Sequence, residues 1–217
     1  MDVLYLGHSS FRLTNRKVSV VCDPFDPVVV GLKFPKVSAT IVTISHDHKD
    51  HNNTTTPKTL SGGKPMVFKD PGEYEVCGVV VTGISSFHDN SEGSERGKNT
   101  IFHLMFDGLN IVHLGDLGQS KLTEEQVSQI GQTDILLIPV GGVYTIDSKQ
   151  AANIVSQLEP KIIIPMHFKI EGLKFELAGV EGFLKEMGAE GVIVQPKLSI
   201  TKDKLPEEPQ VVVLSKS

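Results

Sequence analysis

The chain has 217 residues, of which 39 % are hydrophobic and 22 % charged, and it carries a formal net charge of -5. This composition is ordinary for a globular protein, and the length allows one domain with a sizeable core. Its three arginines, Arg12, Arg16 and Arg96, do not cluster in the sequence. Because a phosphate backbone requires clustered basic side chains, we expect no nucleic-acid partner.

The two cysteines, Cys22 and Cys77, cannot form a disulfide framework, and we expect reduced thiols. The first residues lack the basic start and apolar core of a signal peptide. No stretch approaches the roughly 20 apolar residues that a membrane helix needs. We therefore expect a cytoplasmic protein without a membrane partner, folded as a single domain over residues 1–217.

The first half of the chain is predicted to be rich in strands. β-branched and apolar runs between Gly, Pro and Asn breaks predict strands at residues 3–6, 10–13, 18–22, 40–44, 65–68, 78–84, 100–106 and 111–114. Residues 25–36 are predicted to form a loop, and any helix in residues 49–63 is predicted to be short. Residues 88–99 have the composition of a mobile loop. Asp107-Gly108 predicts a tight turn between two of the strands.

The second half alternates strands and helices. Thr123 to Gln126 fits a capping box and opens a helix with Val127 and Ile130 inward. Asp147 is predicted to cap a second helix, and a third is predicted near residues 180–187. Strands are predicted at residues 135–140 and 161–165, and near residues 192–194 and 211–214. Early meanders followed by strand–helix alternation predict an α/β (α+β mixed) fold, with mixed sheets covered by helices on their outer faces.

Three histidines and two aspartates crowd into the segment from His46 to His51, directly after a predicted buried strand. His46 and His48 project to the same side of an extended chain, so they can hold one ion together. Asp50 and His51 follow the turn and can face a second ion. Two metal ions are the simpler interpretation, because four ligands in one short loop rarely converge on one centre.

Three further candidate ligands each follow a predicted strand: His88, Asp116 and His167. A single histidine at a strand end is more often a hydrogen-bonded structural residue than a ligand. Three residues in the order His, Asp, His, downstream of the first motif, favour metal binding instead.

With these residues the chain resembles the metallo-β-lactamase-fold hydrolases. The resemblance extends from Gly7 to His167 and implies a four-layer αββα sandwich with a two-metal site at one edge of its sheets. It implies that His46, His48 and His88 hold the first ion. It implies that Asp50, His51 and His167 hold the second ion, and that Asp116 bridges both.

The implied centre suits hydrolysis. Two divalent ions, two carboxylates and a bridging hydroxide leave a charge of about +1, and metal coordination lowers the pKa of water towards about 7. We expect the hydroxide to attack a small ester, lactone or phosphodiester, with Asp50 and Asp116 as catalytic residues and Asp50 carrying a proton to the leaving group. Nitrogen and oxygen ligands fit Zn, Mn, Fe or Ni, and zinc is our default.

Within this fold the chain resembles the L-ascorbate-6-phosphate lactonase-like branch, which also includes N-acyl phosphatidylethanolamine phospholipase D. The residues that carry this resemblance are Gly7 to Phe11, Asn99, Gly115 to Gly118 and Pro165 to Phe168. We expect a small anionic substrate, with His8, Arg96 and Tyr144 as candidate substrate-binding residues. A core role for His8 and a solvated loop position for Arg96 are open alternatives. We expect Asp23 to fix a loop rather than bind metal.

Two other functions stay open. One is a metal-binding sensor that has lost turnover, and the other is an iron-dependent redox enzyme. In the oxygen-reducing di-iron relatives a glutamate occupies the place of His48, so the histidine favours hydrolysis. The sequence does not decide between a monomer and a homo-oligomer.

Overall fold

The computed structural model describes residues 1–217. Its strands are β1 (Asp2–Gly7), β2 (Ser10–Thr14), β3 (Ser19–Cys22), β4 (Ile41–Thr43), β5 (Met66–Phe68), β6 (Gly72–Val76), β7 (Val79–Phe87), β8 (Lys98–Phe106), β9 (Leu109–His113), β10 (Ile135–Pro139), β11 (Ile162–Met166), β12 (Leu198–Ser199) and β13 (Gln210–Val211). Its helices are α1 (Pro27–Val30), α2 (Glu124–Ile130), α3 (Ser148–Leu158) and α4 (Glu181–Glu186), with a 3-10 turn at Lys202–Lys204.

The strands form two mixed sheets. The first sheet has the order β12-β1-β2-β3-β4-β5, and the second has the order β13-β11-β10-β9-β8-β7-β6. In the first sheet β1, β2 and β3 are antiparallel while β3, β4 and β5 are parallel. In the second sheet β6 to β9 are antiparallel and β9, β10, β11 and β13 are parallel. The predicted α/β class with two mixed sheets is confirmed.

Side chains of the first sheet alternate between two apolar layers. Val3 and Tyr5 of β1 join the large core cluster that also contains the second sheet. Their neighbours Leu4 and Leu6 point the other way, into a smaller cluster with Val30 of α1 and loop residues such as Leu32. Because strand side chains alternate with a period of two, β1 serves both layers. The outer layer on the first sheet is built mainly from loops and the single turn of α1.

The outer face of the second sheet is covered by longer helices, and two of them begin at the predicted N-caps, Thr123 and Asp147. Thr123 and Gln126 cap α2 reciprocally, and Asp147 and Gln150 do the same for α3. Along α3, the apolar residues Ala151, Ile154, Val155 and Leu158 are buried, as their spacing predicts. The helix layer is therefore thick on this side of the molecule and thin on the other.

Three predicted segments differ in the structure. The expected loop at residues 25–36 contains α1, because Asp26 accepts a hydrogen bond from Val28 N and Gly31 ends the turn with a φ of 86°. The strand predicted near residues 192–194 is wrong: Ile193 and Val194 are exposed, and the nearby pairing belongs to β12. The predicted strand at residues 211–214 shrinks to β13.

Strand β6 was not predicted, because its polar residues at the sheet edge give little apolar signal. It pairs with β7 in register from Gly72 opposite Gly83 to Val76 opposite Val79. The turn at Asp107 and Gly108 is as predicted: both residues have positive φ, 58° and 79°, as a two-residue hairpin turn requires.

No helix in the structure is long and apolar enough to span a membrane.

Candidate metal centre

The loop after β4 carries the histidine motif to the edge between the two sheets. The Ser45 carbonyl oxygen accepts a hydrogen bond from Thr100 N in β8, at 2.8 Å, which joins the start of this loop to the second sheet. The chain then turns back, with His51 N donating to the His48 carbonyl oxygen at 2.9 Å. The turn leaves His46 and His51 buried, while His48 stays exposed.

Ends of three strands of the second sheet bring the other candidates to the same edge. His88 follows β7, and Asp116 and His167 lie just beyond β9 and β11. The turn before Asp116 is tight: Gly115 has a φ of 57°, and a Cβ there would collide with Asn99 and Ser45. Asn99 Oδ1 also accepts a hydrogen bond from Asp116 N at 3.0 Å, which sets the direction of the carboxylate.

The side chains gather into two neighbouring clusters. The inner cluster consists of His8, His51, Asp116 and His167, all buried, and the outer cluster consists of His46, His48 and His88. Within each cluster the candidate ligand atoms lie within 4.8 Å of one another. This is the separation expected around a single ion with ligand bonds of about 2.0–2.3 Å.

Asp116 lies at the junction of the two clusters. Its Oδ2 is 3.1 Å from His51 Nε2 and 3.3 Å from His167 Nε2 in the inner cluster. The same oxygen is 3.6 Å from His88 Nε2 in the outer cluster. The other oxygen, Oδ1, accepts a hydrogen bond from Ser9 Oγ at 3.1 Å. Asp116 is therefore placed to serve ions in both clusters.

Asp23, at the end of β3, connects one histidine of each cluster. Its Oδ2 lies 2.9 Å from His51 Nδ1 and 2.5 Å from Ser45 Oγ. Ser45 Oγ in turn lies 2.9 Å from His46 Nδ1. Because the serine donates to the carboxylate, it accepts from His46 Nδ1. The network assigns the proton of both imidazoles to Nδ1 and leaves each Nε2 lone pair for a metal.

Asp50 lies beside the inner cluster rather than within it. Its Oδ2 is 3.5 Å from His51 Nε2 and 3.1 Å from His8 Nε2. His8 is fully buried, with its ring stacked on Phe175 at a centroid distance of 5.3 Å. This burial places His8 behind Asp50 and away from the surface that a substrate would meet. A direct contact between His8 and substrate stays a prediction.

The donor set fits divalent metal ions. The Nε2 atoms of His46 and His51 are buried without a hydrogen-bond partner. With its proton on Nδ1, His51 presents a lone pair to Asp116 Oδ2 only 3.1 Å away. Two acceptors at this distance repel each other unless a cation or a proton lies between them. Six histidines and two carboxylates, with no thiolate among them, match the preferences of zinc and its neighbours.

The pKa values of these side chains follow the same logic. Burial lowers the pKa of His46 to about 3 and that of His8 to about 4, so both imidazoles are neutral. Burial also opposes charge on His51, but Asp116, Asp23 and Asp50 outweigh it and raise its pKa well above the usual value. For Asp116, burial is outweighed by His167 and His51, which hold its pKa well below the usual value. The carboxylates around His51 therefore favour a positive charge at this point of the inner cluster.

A cavity of about 250 Å³ lies over the junction, lined by residues of both clusters together with Arg96, Tyr144 and Phe175. The Arg96 guanidinium lies 6.0 Å from the centre of the Tyr144 ring, and Tyr144 packs edge-on against Phe175. Arg96 and Tyr144 therefore border the space in front of the candidate metal centre. Phe175 is not predicted from the sequence to line the site, because nothing in its segment distinguishes it from a core residue.

The segment predicted as a mobile loop is organised around Asp89. Its carboxylate accepts hydrogen bonds from the backbone N–H groups of Ser91, Gly93, Glu95 and Arg96 at 2.8 to 3.0 Å. Burial disfavours the charge, but these four donors prevail and lower the pKa of Asp89 to about 2. This frame fixes the backbone of Arg96 at the rim of the cavity. The segment also ends earlier than predicted, because β8 begins at Lys98.

Residues 2–167 match the family model of the Beta-lactamase superfamily domain. The chain belongs to this family. A crystal structure of a proposed Zn-dependent hydrolase of the metallo-beta-lactamase superfamily from Thermotoga maritima is 38 % identical, with a TM-score of 0.80 over 98 % of this chain and 97 % of that one.

Two further relatives are more distant. A UPF0173 metal-dependent hydrolase of Pyrococcus abyssi is 28 % identical over 191 residues, which cover 77 % of this chain and 84 % of the relative. A metallo hydrolase from Ignicoccus hospitalis shares the fold with a TM-score of 0.64 at 21 % identity, over 88 % of this chain and 91 % of that one. The predicted metallo-β-lactamase fold is confirmed.

The structure brings all seven sequence-predicted ligands to one edge, and their role as ligands stays a prediction. The expected grouping of His46, His48 and His88 is also the geometric one. The second group differs, because His8 completes the inner cluster and Asp50 lies next to it. In the sequence, His8 is marked as a candidate by its position after a short strand. Asp23 is marked in the same way, because it follows a buried strand.

Proposed function

We propose that the protein is a metal-dependent hydrolase with a dinuclear centre, with zinc as the expected metal, that cleaves a small ester, lactone or phosphodiester. The observation that carries this proposal is the junction at Asp116, where one carboxylate oxygen contacts histidines of both clusters under a cavity bordered by Arg96. The relatives named as metal-dependent hydrolases support the same reaction class.

The side chains of this chain would divide the work as follows. His46, His48 and His88 would hold one ion, and His51 and His167 the other, with Asp116 shared and Asp50 or His8 completing the inner set. Such a pair of ions supplies hydroxide at neutral pH and polarises the electrophile. Asp23 and Ser45 hold His51 and His46 in the tautomers that ligation requires.

Asp50 is the group best placed to move a proton. It borders the cavity, and its other contacts are histidines: His8 Nε2 at 3.1 Å and His51 Nε2 at 3.5 Å. Burial raises its pKa, but the neighbouring imidazoles of His51 and His8 dominate and lower it, so Asp50 starts as a carboxylate. In this proposal it accepts a proton from the nucleophile and delivers it to the leaving group.

Arg96 and Tyr144 would bind the substrate. Both residues line the cavity, and both are exposed to solvent. Neither the Tyr144 hydroxyl nor the Arg96 guanidinium forms a hydrogen bond with another part of the protein. The only carboxylate paired with Arg96 is that of Glu95, at 3.8 Å, so the guanidinium charge is available to an anion. A small anionic substrate of the kind handled by the L-ascorbate-6-phosphate lactonase-like branch fits this arrangement and is our proposed substrate class.

The test combines metal analysis with a substrate panel. The purified protein would be stripped with a chelator, reloaded with Zn, Mn, Fe or Ni, and assayed on lactones, esters and phosphodiesters. We expect no activity in the stripped protein and recovery on reloading. Full activity without metal would contradict the proposal. A fully loaded protein that cleaves nothing on the panel would favour a binding or sensor function, and oxygen consumption by an iron-loaded form would favour redox chemistry.

A further inference from the structure

A small cavity, here called the hairpin cavity, lies at the end of the first sheet opposite the metal centre. It measures about 120 Å³ and is lined by the hairpin between β2 and β3 and by the segment before β4. Strand β3 begins in its wall with Ser19 and ends at Cys22, next to Asp23. Strand β4 begins just after Thr40, another wall residue, and runs towards His46. The strands therefore separate this cavity from the metal centre, and no residue lines both spaces.

The wall of the hairpin cavity carries three positive charges and no negative one. Arg12, Arg16 and Lys17 line it, and no aspartate or glutamate does. The ion pairs of arginine and lysine side chains all lie elsewhere, at Arg96, Lys169, Lys197 and Lys202. The whole chain has a net charge of -5, so the sign of the charge is reversed locally. A concave surface of one sign concentrates ligands of the other sign.

The side chain of Arg12 points most directly to a ligand. It is half-buried, and its Nε donates to Ser19 Oγ at 2.9 Å while its Nη2 donates to Ser38 Oγ at 3.1 Å. These two hydrogen bonds fix the guanidinium in place, but both acceptors are neutral hydroxyls. A charge withdrawn from water is normally paired with an opposite charge. A guanidinium has five N–H groups, and the others of Arg12 have no acceptor in the protein.

The hydroxyl groups of the wall add further donors. Ser38 Oγ accepts from Arg12, and Thr40 Oγ1 accepts from Ser19 N at 3.3 Å. Neither hydroxyl donates to a protein acceptor, so the hydrogen of each is unused. Asn15 has already used its amide oxygen on two backbone N–H groups of its own turn, at 2.8 and 2.9 Å. The side chains around the cavity therefore present unused donors and no carboxylate, which is the pattern that an oxyanion satisfies.

The volume of the hairpin cavity limits what can enter. Small-molecule sites commonly measure about 300–1,000 Å³, and this cavity measures only about 120 Å³. At roughly 30 Å³ for each molecule of liquid water, the space corresponds to about four waters. A tetrahedral oxyanion fits such a space, whereas a sugar or a nucleotide does not. Arginine matches phosphate in particular, because its planar fork of N–H donors can bind two oxygens at once.

We propose that the hairpin cavity is a binding site for a phosphate or sulfate oxyanion, held by Arg12, Arg16 and Lys17. The bound group is either a free ion or the phosphoryl group at the end of a larger molecule, and both present the same tetrahedral chemistry. The anion supplies the counter-charge that Arg12 lacks within the protein. This inference is independent of the proposed hydrolysis, because no residue of the two histidine clusters takes part.

The test uses nuclear magnetic resonance, because the chain has only three arginines. A ¹⁵N-labelled protein gives one side-chain Nε–H resonance for each of Arg12, Arg16 and Arg96, and Arg96 reports on the cavity at the metal centre. The zinc-loaded protein would be titrated with inorganic phosphate and with sulfate, with NaCl keeping the ionic strength constant. We expect a saturable shift of the Arg12 resonance with a Kd of about 1 mM or below, whatever happens at Arg96.

Two double variants with the same change of charge test the assignment. Arg16→Gln/Lys17→Gln removes two charges from the exposed turn of the hairpin and leaves the hydrogen bonds of Arg12 in place. The matched control, Lys121→Gln/Lys149→Gln, removes two exposed lysines outside the hairpin cavity. We expect the first variant to bind at least about tenfold more weakly, because it loses charge-assisted hydrogen bonds. The control should bind as the wild type does.

The outcomes are distinct for this site and for the metal centre. An Arg12 resonance that neither anion shifts would overturn the site, and so would equal affinity in the wild type and in Arg16→Gln/Lys17→Gln. A shift without saturation, shared by all three arginines, would reflect general screening and overturn it as well. A result of either kind leaves the proposed hydrolysis untouched.

Glucose 6-phosphate distinguishes the two sources of the anion. If this ester shifts the Arg12 resonance as inorganic phosphate does, the site takes the phosphoryl group of a larger molecule. If only the inorganic ions shift the resonance, the site takes a free oxyanion. Both results support an oxyanion site and differ in what they say of its occupant.

Discussion

The inner and outer clusters are neighbours with different surroundings. All four residues of the inner cluster are buried, and the cluster contains Asp116 with Asp50 and Asp23 at its border. The outer cluster has three imidazoles and no carboxylate of its own, and its His48 is exposed. We expect the inner cluster to hold a cation away from solvent, and the outer cluster to present a cation to a ligand.

The difference follows from where each cluster obtains its residues. In the inner cluster, His8 comes from the bend between β1 and β2, and His167 follows the end of β11. A backbone hydrogen bond joins the two segments, because His167 N donates to the His8 carbonyl oxygen at 2.9 Å. The outer cluster depends on the loop after β4 and on His88. Strand ends joined by backbone hydrogen bonds thus surround the inner cluster, whereas the outer cluster borders solvent.

The largest effect is expected where the clusters meet. Asp116→Asn keeps the size of the side chain and removes the charge that both clusters share. We expect loss of both ions after dialysis and a fall in kcat/KM of about 1000-fold or more, measured by elemental analysis and by kinetics. The exposed carboxylate variant Asp203→Asn is the control and should retain both ions. Retention of two ions by Asp116→Asn would remove the basis for a shared ligand.

The Asp23 network allows the clusters to be weakened together or separately. Asp23→Asn should lower the metal affinity of both, by about 10- to 100-fold, because it disturbs His51 directly and His46 through Ser45. Ser45→Ala should weaken the outer cluster alone. Titration against a competing chelator measures both. If Ser45→Ala lowered the metal affinity of the inner cluster equally, Ser45 would not act on His46 alone.

Proton release should distinguish the clusters as metal binds. The raised pKa of His51 means that the inner cluster carries a proton near neutral pH, which an ion must displace. Its affinity should therefore fall up to about tenfold per pH unit as the pH drops below that pKa. Burial lowers the pKa of His46 to about 3 and also lowers that of His88, so we expect an ion at these two residues to release fewer protons.

Calorimetry in buffers of different ionisation enthalpy counts these protons. We expect two binding steps, a tighter one that releases about one proton and a weaker one that releases less. His51→Gln should remove the proton-coupled step, and His48→Gln should affect the other. A tight first step without proton release would reverse the order assigned to the clusters.

The smallest effect is expected at the loop that borders the outer cluster. Asp89→Asn loses the ionised acceptor of four backbone donors, so Arg96 should become less well positioned. We expect KM to rise about threefold to tenfold with little change in kcat, and Glu92→Gln, in the same loop, to behave as the wild type. A fall in kcat at constant KM would indicate that Asp89 acts through His88 instead.

Much of the site was accessible from sequence because its residues follow local rules. A buried strand that ends in histidines, or in Gly115-Asp116, can be recognised from a few consecutive residues. The ends of parallel strands then meet at one edge whatever the loops do. The capping box at Thr123, the cap at Asp147 and the Asp107-Gly108 turn are equally local. The strand near residues 192–194 failed because apolar residues there are exposed, and short runs carry little periodicity.

What the sequence determined by itself is the chemistry available: histidines and carboxylates at strand ends in an order that favours metal binding. Only the tertiary structure decided how they are shared. The placement of His8 in the inner cluster and the contact of Asp23 with His51 both pair residues far apart in the chain. Such pairs depend on sheet register and on how two sheets pack, and a linear pattern records neither.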